Sequence, residues 1–137
     1  MKTKASKNEV KSSSMLKARL SSNKNSLKDF DEWCLQQFPE LSISPTVLDL
    51  GCGNGKQLHL FSGKFPPNAC FVGMDLSSES LGDLKSSYNS PPKLQLIEGS
   101  FDKEGSFETL PTQELDLAYA VYALYYTEDL DSLIKRV

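Results

Sequence analysis

Val47-Leu48-Asp49-Leu50-Gly51-Cys52-Gly53-Asn54-Gly55 decides the fold of this 137-residue chain. Its first four residues are apolar apart from Asp49, and Pro45 and Gly51 bound them. Such a run suits a strand buried on both faces, as in a parallel sheet. Gly51 and Gly53 allow positive φ and let a ligand approach with no Cβ in the way. Beyond Gly55, Leu58, Phe61 and Phe65 recur three and four residues apart. That spacing predicts an amphipathic helix packed on the sheet, so the turn opens at a helix N-terminus. A second strand, Cys70 to Asp75, ends on a carboxylate 20 residues after Gly55. One strand-helix-strand unit therefore places an acid where the ribose lies in a nucleotide-type cofactor site.

Three glycine motifs compete for this turn. The dinucleotide fingerprint needs a small residue at position 56, where Lys56 stands. The phosphate-binding loop needs Gly-Lys-Ser/Thr after a longer spacer, but Gln57 follows Lys56 and Leu50 replaces the first glycine. The pattern D-x-G-x-G-x-G is matched in full by Asp49, Gly51, Gly53 and Gly55. An acid two positions before the turn repels a pyrophosphate and attracts a ligand bearing an ammonium and a sulfonium.

On these residues the chain, over roughly positions 26 to 137, resembles the class I (Rossmann-like, seven-strand) S-adenosylmethionine-dependent methyltransferases. Val47 to Gly55 resembles the first motif, and Phe71 to Ser77 the second strand, whose acid grips the ribose hydroxyls. Leu94 to Phe101 is similar to the third strand and Leu115 to Val121 to the fourth; Leu124-Tyr125-Tyr126 falls where many small-molecule enzymes carry Leu-His-His. The resemblance implies S-adenosyl-L-methionine as cofactor. It implies a cofactor site of Asp49, Gly51, Cys52, Gly53, Asn54, Gly55, Asp75, Leu76, Ser100, Phe101 and Ala120, with Tyr125 and Tyr126 toward the acceptor. One departure is Ser100, where the family often has an aspartate for the adenine amino group; a serine hydrogen-bonds more weakly than a carboxylate. The implied fold is α/β: a doubly wound, mostly parallel Rossmann-like sheet, cut short after the fourth strand and its following helix.

Plainer readings stand beside these. Asp75 could serve only as a helix N-cap, given Ser77 and Ser78. Cys52 reads as a small residue tolerated in the turn, and His59, the single histidine, as a surface or packing residue. A serine hydrolase or metal site finds little support, and no metal is expected. Tyr119, Tyr122, Tyr125 and Tyr126 crowd the fourth strand and its end, as packing or as an aromatic wall to the acceptor.

Charge divides the chain. Residues 1 to 28 carry eight Lys or Arg against Glu9, or +7, and the whole chain carries −3, so the remainder carries −10. The first 14 residues are Lys- and Ser-rich and too poor in hydrophobes to order themselves. Residues 1–25 are thus expected to be a disordered basic arm, a solvated tail or, less simply, a contact to nucleic acid. No apolar run reaches membrane-spanning length, and no secretory signal is evident. Cys34, Cys52 and Cys70 are odd in number and far apart, which suits a reducing, cytoplasmic setting.

The remaining pattern predicts a helix over 26–38 with Trp33 in the core, a helix over 80–88, a polar loop over 102–113, and a last helix capped by Thr127. That helix carries a stripe of Leu130, Leu133, Ile134 and Val137. Strand alternating with helix implies right-handed crossovers in a parallel sheet. The fourth strand, central in the family, is left as an edge here, as expected of an N-terminal portion or of a chain whose sheet another chain completes.

The expected activity is methyl transfer from S-adenosylmethionine with this chain supplying the cofactor-binding half; no catalytic residue can be named. The alternative is a non-catalytic methyltransferase-like remnant or partner subunit. A dinucleotide oxidoreductase is disfavoured by Asp49 and Lys56. Base- and glutamine-modifying methyltransferases often carry [DNS]-P-P-[FYW] after the fourth strand, where Ala120-Val121-Tyr122-Ala123 stands here. That favours a small-molecule acceptor.

Overall fold

The computed structural model describes residues 29–89, 91–112 and 114–137. The expected basic arm, with any nucleic-acid contact it makes, lies outside them. Four parallel strands form one sheet in the order β3-β2-β1-β4: β1 (Thr46–Leu50), β2 (Cys70–Asp75), β3 (Lys93–Glu98) and β4 (Leu117–Tyr119). The helices are α1 (Phe30–Gln36), α2 (Lys56–Ser62), α3 (Ser78–Ser87) and α4 (Leu130–Arg136), with 3-10 turns at Glu104–Ser106 and Leu124–Tyr126.

Strand residues alternate between two cores, because successive side chains point to opposite faces. Val47 and Phe71 pack with Leu58, Phe61, Leu81 and Leu84 on the face covered by α2 and α3. Leu48, Leu50, Val72, Met74 and Ile97 pack with Phe107 and Leu133 on the face covered by α4. The sheet is therefore doubly wound. Leu48, Val47, Phe71 and Val72 are fully buried, as the continuous apolar runs require.

Several boundaries differ from the sequence pattern, each for a local reason. The first helix begins at Phe30, because the Asp29 carboxylate accepts hydrogen bonds from the amides of Asp31 and Glu32. Trp33 is 51% exposed rather than in the core; Cys34 takes the inward position. Helix α3 starts at Ser78, two residues earlier than the pattern suggests, since Ser77 Oγ accepts from the Ser80 amide. The expected loop after β3 contains the first 3-10 turn.

Strand β4 is shorter than Leu115–Val121. At its start the Asp116 carboxylate accepts from the Thr46 amide at 2.8 Å, and beyond Tyr119 the chain turns to reach Tyr122 at φ 56°. Among the described residues β4 pairs with β1 alone and forms an edge, as expected. The cap of α4 is Asp129, not Thr127: its carboxylate accepts from the Ser132 amide and hydroxyl. Of the predicted stripe only Leu133 is buried, while Leu130, Ile134 and Val137 stand exposed.

Candidate cofactor site

The glycine turn leaves the C-terminal end of β1 and is fastened to β2. The Gly51 and Cys52 amides both donate to the Met74 carbonyl, at 2.8 and 3.1 Å. The Gly53 amide donates to Asp75 Oδ2 at 2.8 Å. Gly51, Gly53 and Gly55 all adopt positive φ, which L side chains avoid. Space is also short: a Cβ on Gly51 would lie 2.5 Å from Ala123 Cβ, and one on Gly55 would strike Leu84. The motif glycines are thus required by the turn itself. Gly55 then caps α2 with no side-chain bond.

Asp75 is 7% exposed. Its Oδ1 accepts from the Ser77 amide at 2.8 Å while Oδ2 holds Gly53. Burial raises its pKa, and the amides of Ser77, Gly53 and Leu76 draw it back down. The carboxylate is thus a strut between the turn and the start of α3. A carboxylate has about four lone-pair sites, so these amide bonds leave capacity for a ligand's hydroxyl donor. Capping of α3 falls to Ser77, so Asp75 is not the helix cap.

Asp49 is 2% exposed on β1, and burial pushes its pKa up to about 7, with the negative charge of Asp75 adding to the rise. Tyr119 on β4 opposes this by donating its hydroxyl to Asp49 Oδ2 at 2.9 Å. The two residues are register partners across the β1-β4 pair. Burial and the Asp49 charge hold the Tyr119 phenol far above its ordinary range, so it stays a donor. The same surroundings raise the buried Cys52 thiol, which is no nucleophile.

The other predicted residues fall around this pair unevenly. Phe101 follows β3, and its ring edge lies 3.7 Å from where a Gly51 Cβ would stand. Phe101 and Ala120 pack partly buried against the α4-side core. Asn54 and Leu76 sit half-buried at the turn and after β2. Ser100 Oγ accepts from the Asp102 amide at 3.1 Å, a local turn bond. Tyr125 and Tyr126 contact each other with ring centroids 4.3 Å apart, and Tyr125 is 51% exposed.

Sequence patterning missed three features. Tyr119 as partner of Asp49 depends on cross-strand register. Asp102 accepts from the Glu128 amide at 3.0 Å and from the Thr127 hydroxyl, and Arg136 donates to the Phe101 carbonyl at 2.9 Å. Together they lock the segment after β3 to α4. Lys56, following the turn, pairs with Asp31 of α1 at 3.3 Å. The sequence signal for that contact was only a lysine where small residues were expected.

The donor set fits S-adenosylmethionine and not a pyrophosphate. Two buried carboxylates lie at the turn, and Lys56, which follows it, is engaged by Asp31. Such a field favours a cationic ligand. No group of three or more metal-binding side chains occurs among the described residues.

The methyltransferase-domain family matches residues 47–137. No curated protein matches the chain. Solved structures do. A Haloferax volcanii methyltransferase in complex with the Trm112 methyltransferase activator superposes with TM-score 0.67 at 21% identity, over 89% of this chain and 51% of that one. An S-adenosylmethionine-dependent methyltransferase of Mesorhizobium loti gives 0.60 at 27% identity, over 81% and 49%. Aeropyrum pernix fibrillarin, with natively bound S-adenosyl-L-methionine, gives 0.52 at 20%, over 64% and 39%. The chain thus spans about half the length of the first two or less of such structures. With the sheet order, the glycine turn and the match over residues 47–137, the chain belongs to the methyltransferase-domain family and has its Rossmann-like fold.

Proposed function

We propose that this chain supplies the cofactor-binding half of a methyltransferase acting on a small-molecule acceptor. The observation that carries the reading is the Asp75 carboxylate, tied to the Gly53 and Ser77 amides and retaining acceptor capacity beside the glycine turn. In this reading Asp75 takes the ribose hydroxyls, the glycine turn admits the amino-acid end, and Asp49 faces its positive charge. Phe101, Leu76 and Ala120 flank the adenine, with Ser100 near its amino group. The bound cofactor supplies an electrophilic methyl group on a sulfonium. The protein contributes mainly proximity and in-line alignment. The residues that align an acceptor come from before β1 and after β4. Tyr125 and Tyr126 take that role in this reading, which is supported by their position in the 3-10 turn after Ala123, a neighbour of Gly51.

The second reading, a partner subunit that binds cofactor weakly, is supported by the open β4 edge and by exposed Leu130, Ile134 and Val137 on α4. Another chain laid on β4 would cover both. A reducing, cytoplasmic location fits the free thiols of Cys34, Cys52 and Cys70. Among the described residues no helix is long and apolar enough to cross a membrane.

Single-turnover assays with radiolabelled S-adenosylmethionine and a panel of small hydroxyl, thiol and amine acceptors separate the two readings. Methyl transfer that Asp75→Ala abolishes supports the first. Cofactor binding with no transfer to any acceptor, together with a change of oligomeric state on adding a candidate partner, supports the second.

A further inference from the structure

A second surface lies away from the cofactor turn, along the other edge of the sheet. Strand β3 pairs with β2 in unbroken parallel register from Lys93 to Glu98, and among the described residues nothing pairs with its outer side. Natural proteins blunt such edges with prolines, bulges or covering elements. Here the six-residue strand contains no proline and its ladder no bulge, and the charged side chains that discourage edge pairing, Lys93 and Glu98, stand only at its two ends.

Beside this edge runs a groove between β3 and the C-terminal end of α3, lined by Lys85, Tyr88, Pro91, Lys93, Leu94 and Leu96 among others. Leu94 and Leu96 share one face of the strand and stay only partly buried against the α2/α3 core. The wall is fixed, because Tyr88 donates its hydroxyl to the Pro92 carbonyl at 2.7 Å. An edge strand beside a helix, with side-chain pockets at alternate positions, is the geometry by which extended peptides add a strand to a sheet.

Charge selects the occupant. Residues 29–137 carry −10, yet two lysines and no acid are among the groove's described lining residues. Within the groove a Lys-rich strand meets like charge at Lys85 and Lys93. A partner strand with carboxylates at the Lys85–Lys93 end is attracted. The groove begins where Lys93 pairs with Cys70, at the opposite end of β3 from Asp75 and Ser100. An occupant there stays clear of the glycine turn.

We propose that the β3 edge and its groove are a docking site for an extended, acidic segment of a separate protein, which adds as a fifth strand with apolar side chains over Leu94 and Leu96. The proposal does not rest on the methyltransferase reading. The test is fluorescence anisotropy of labelled peptides against the full 137-residue chain, with hydrogen exchange as structural readout. The probes are eight-residue Glu-Val and Lys-Val repeats. The expected result is saturable binding of the Glu-Val peptide at least tenfold tighter than the Lys-Val peptide, with the amides of Leu94 to Ile97 protected on binding. The exposed double variant Lys85→Glu, Lys93→Glu reverses the preference. Binding of neither peptide, equal binding of both, or protection elsewhere overturns the proposal. Protection of β3 that rises with protein concentration in the absence of peptide assigns the edge to a second copy of this chain, and overturns it equally. Cofactor titration of the same samples tests the methyltransferase reading separately.

Discussion

Replacing Asp49 by Asn should flatten the pH dependence of the fold's stability while weakening the site. Asp49 is 2% exposed, and its pKa rises from 3.8 to about 7 in the folded chain. A carboxyl with a raised folded pKa contributes stability that is fully present below its unfolded pKa. That contribution is lost as pH rises from about 4 through about 7. Each pKa unit is worth about 1.4 kcal/mol, so the wild type should forfeit roughly 3 kcal/mol between pH 5 and pH 8 from this group alone. Asparagine stays neutral and keeps an oxygen for the Tyr119 hydroxyl, but adds a buried amide donor that costs about 1–3 kcal/mol at every pH. The pH dependence is therefore the clean readout. Urea unfolding followed by Trp33 fluorescence, at pH 5 and pH 8, should show the variant gaining on the wild type by about 2–3 kcal/mol as pH rises, with equal m-values. S-adenosylmethionine binding at pH 8 should fall about tenfold or more, since in the proposed site the lost charge faces the ligand's cation. A variant that parallels the wild type at both pH values, or that keeps full cofactor affinity, refutes the reasoning.

Other changes have sharper local causes. Gly51→Ala forces a Cβ at 2.5 Å from Ala123 Cβ at φ 71°, and should cost about 2–4 kcal/mol in thermal unfolding while abolishing S-adenosylhomocysteine binding. Tyr119→Phe removes the hydroxyl that holds down the Asp49 pKa, so the pH midpoint of cofactor binding should move upward, read by titration from pH 6 to pH 9. Arg136→Met frees the Phe101 carbonyl, and hydrogen exchange should accelerate at residues 101–103 while global stability falls by no more than about 1 kcal/mol.

The central architecture was legible because its signals are local and strong. Buried runs fixed Val47–Leu50 and Phe71–Asp75, and the positive-φ glycines declared the turn between them. The ends of helices were not, because serine, threonine and aspartate caps compete at neighbouring positions: Ser77 caps α3, which starts two residues before the predicted Ser80, and Asp129 rather than Thr127 caps α4. Trp33 looked like core by its spacing, yet it faces outward on a seven-residue helix whose inward position belongs to Cys34. The apolar stripe of the last helix says nothing of how much of it is covered, and only Leu133 of its four residues is buried. The Asp49–Tyr119 bond joins residues 70 apart, and no periodicity within either strand encodes that register. Periodicity likewise gave no sign that Arg136 and Asp102 would lock the segment carrying Ser100 and Phe101.

The central claim, that the Asp75-tethered turn holds S-adenosylmethionine, is tested most directly by calorimetric titration of the chain with S-adenosylhomocysteine, alongside Asp75→Ala and with NADH as control ligand. Saturable binding that the substitution weakens about tenfold or more, and no response to NADH, is the predicted result. Binding of NADH alone, or S-adenosylhomocysteine binding that Asp75→Ala leaves unchanged, would contradict it.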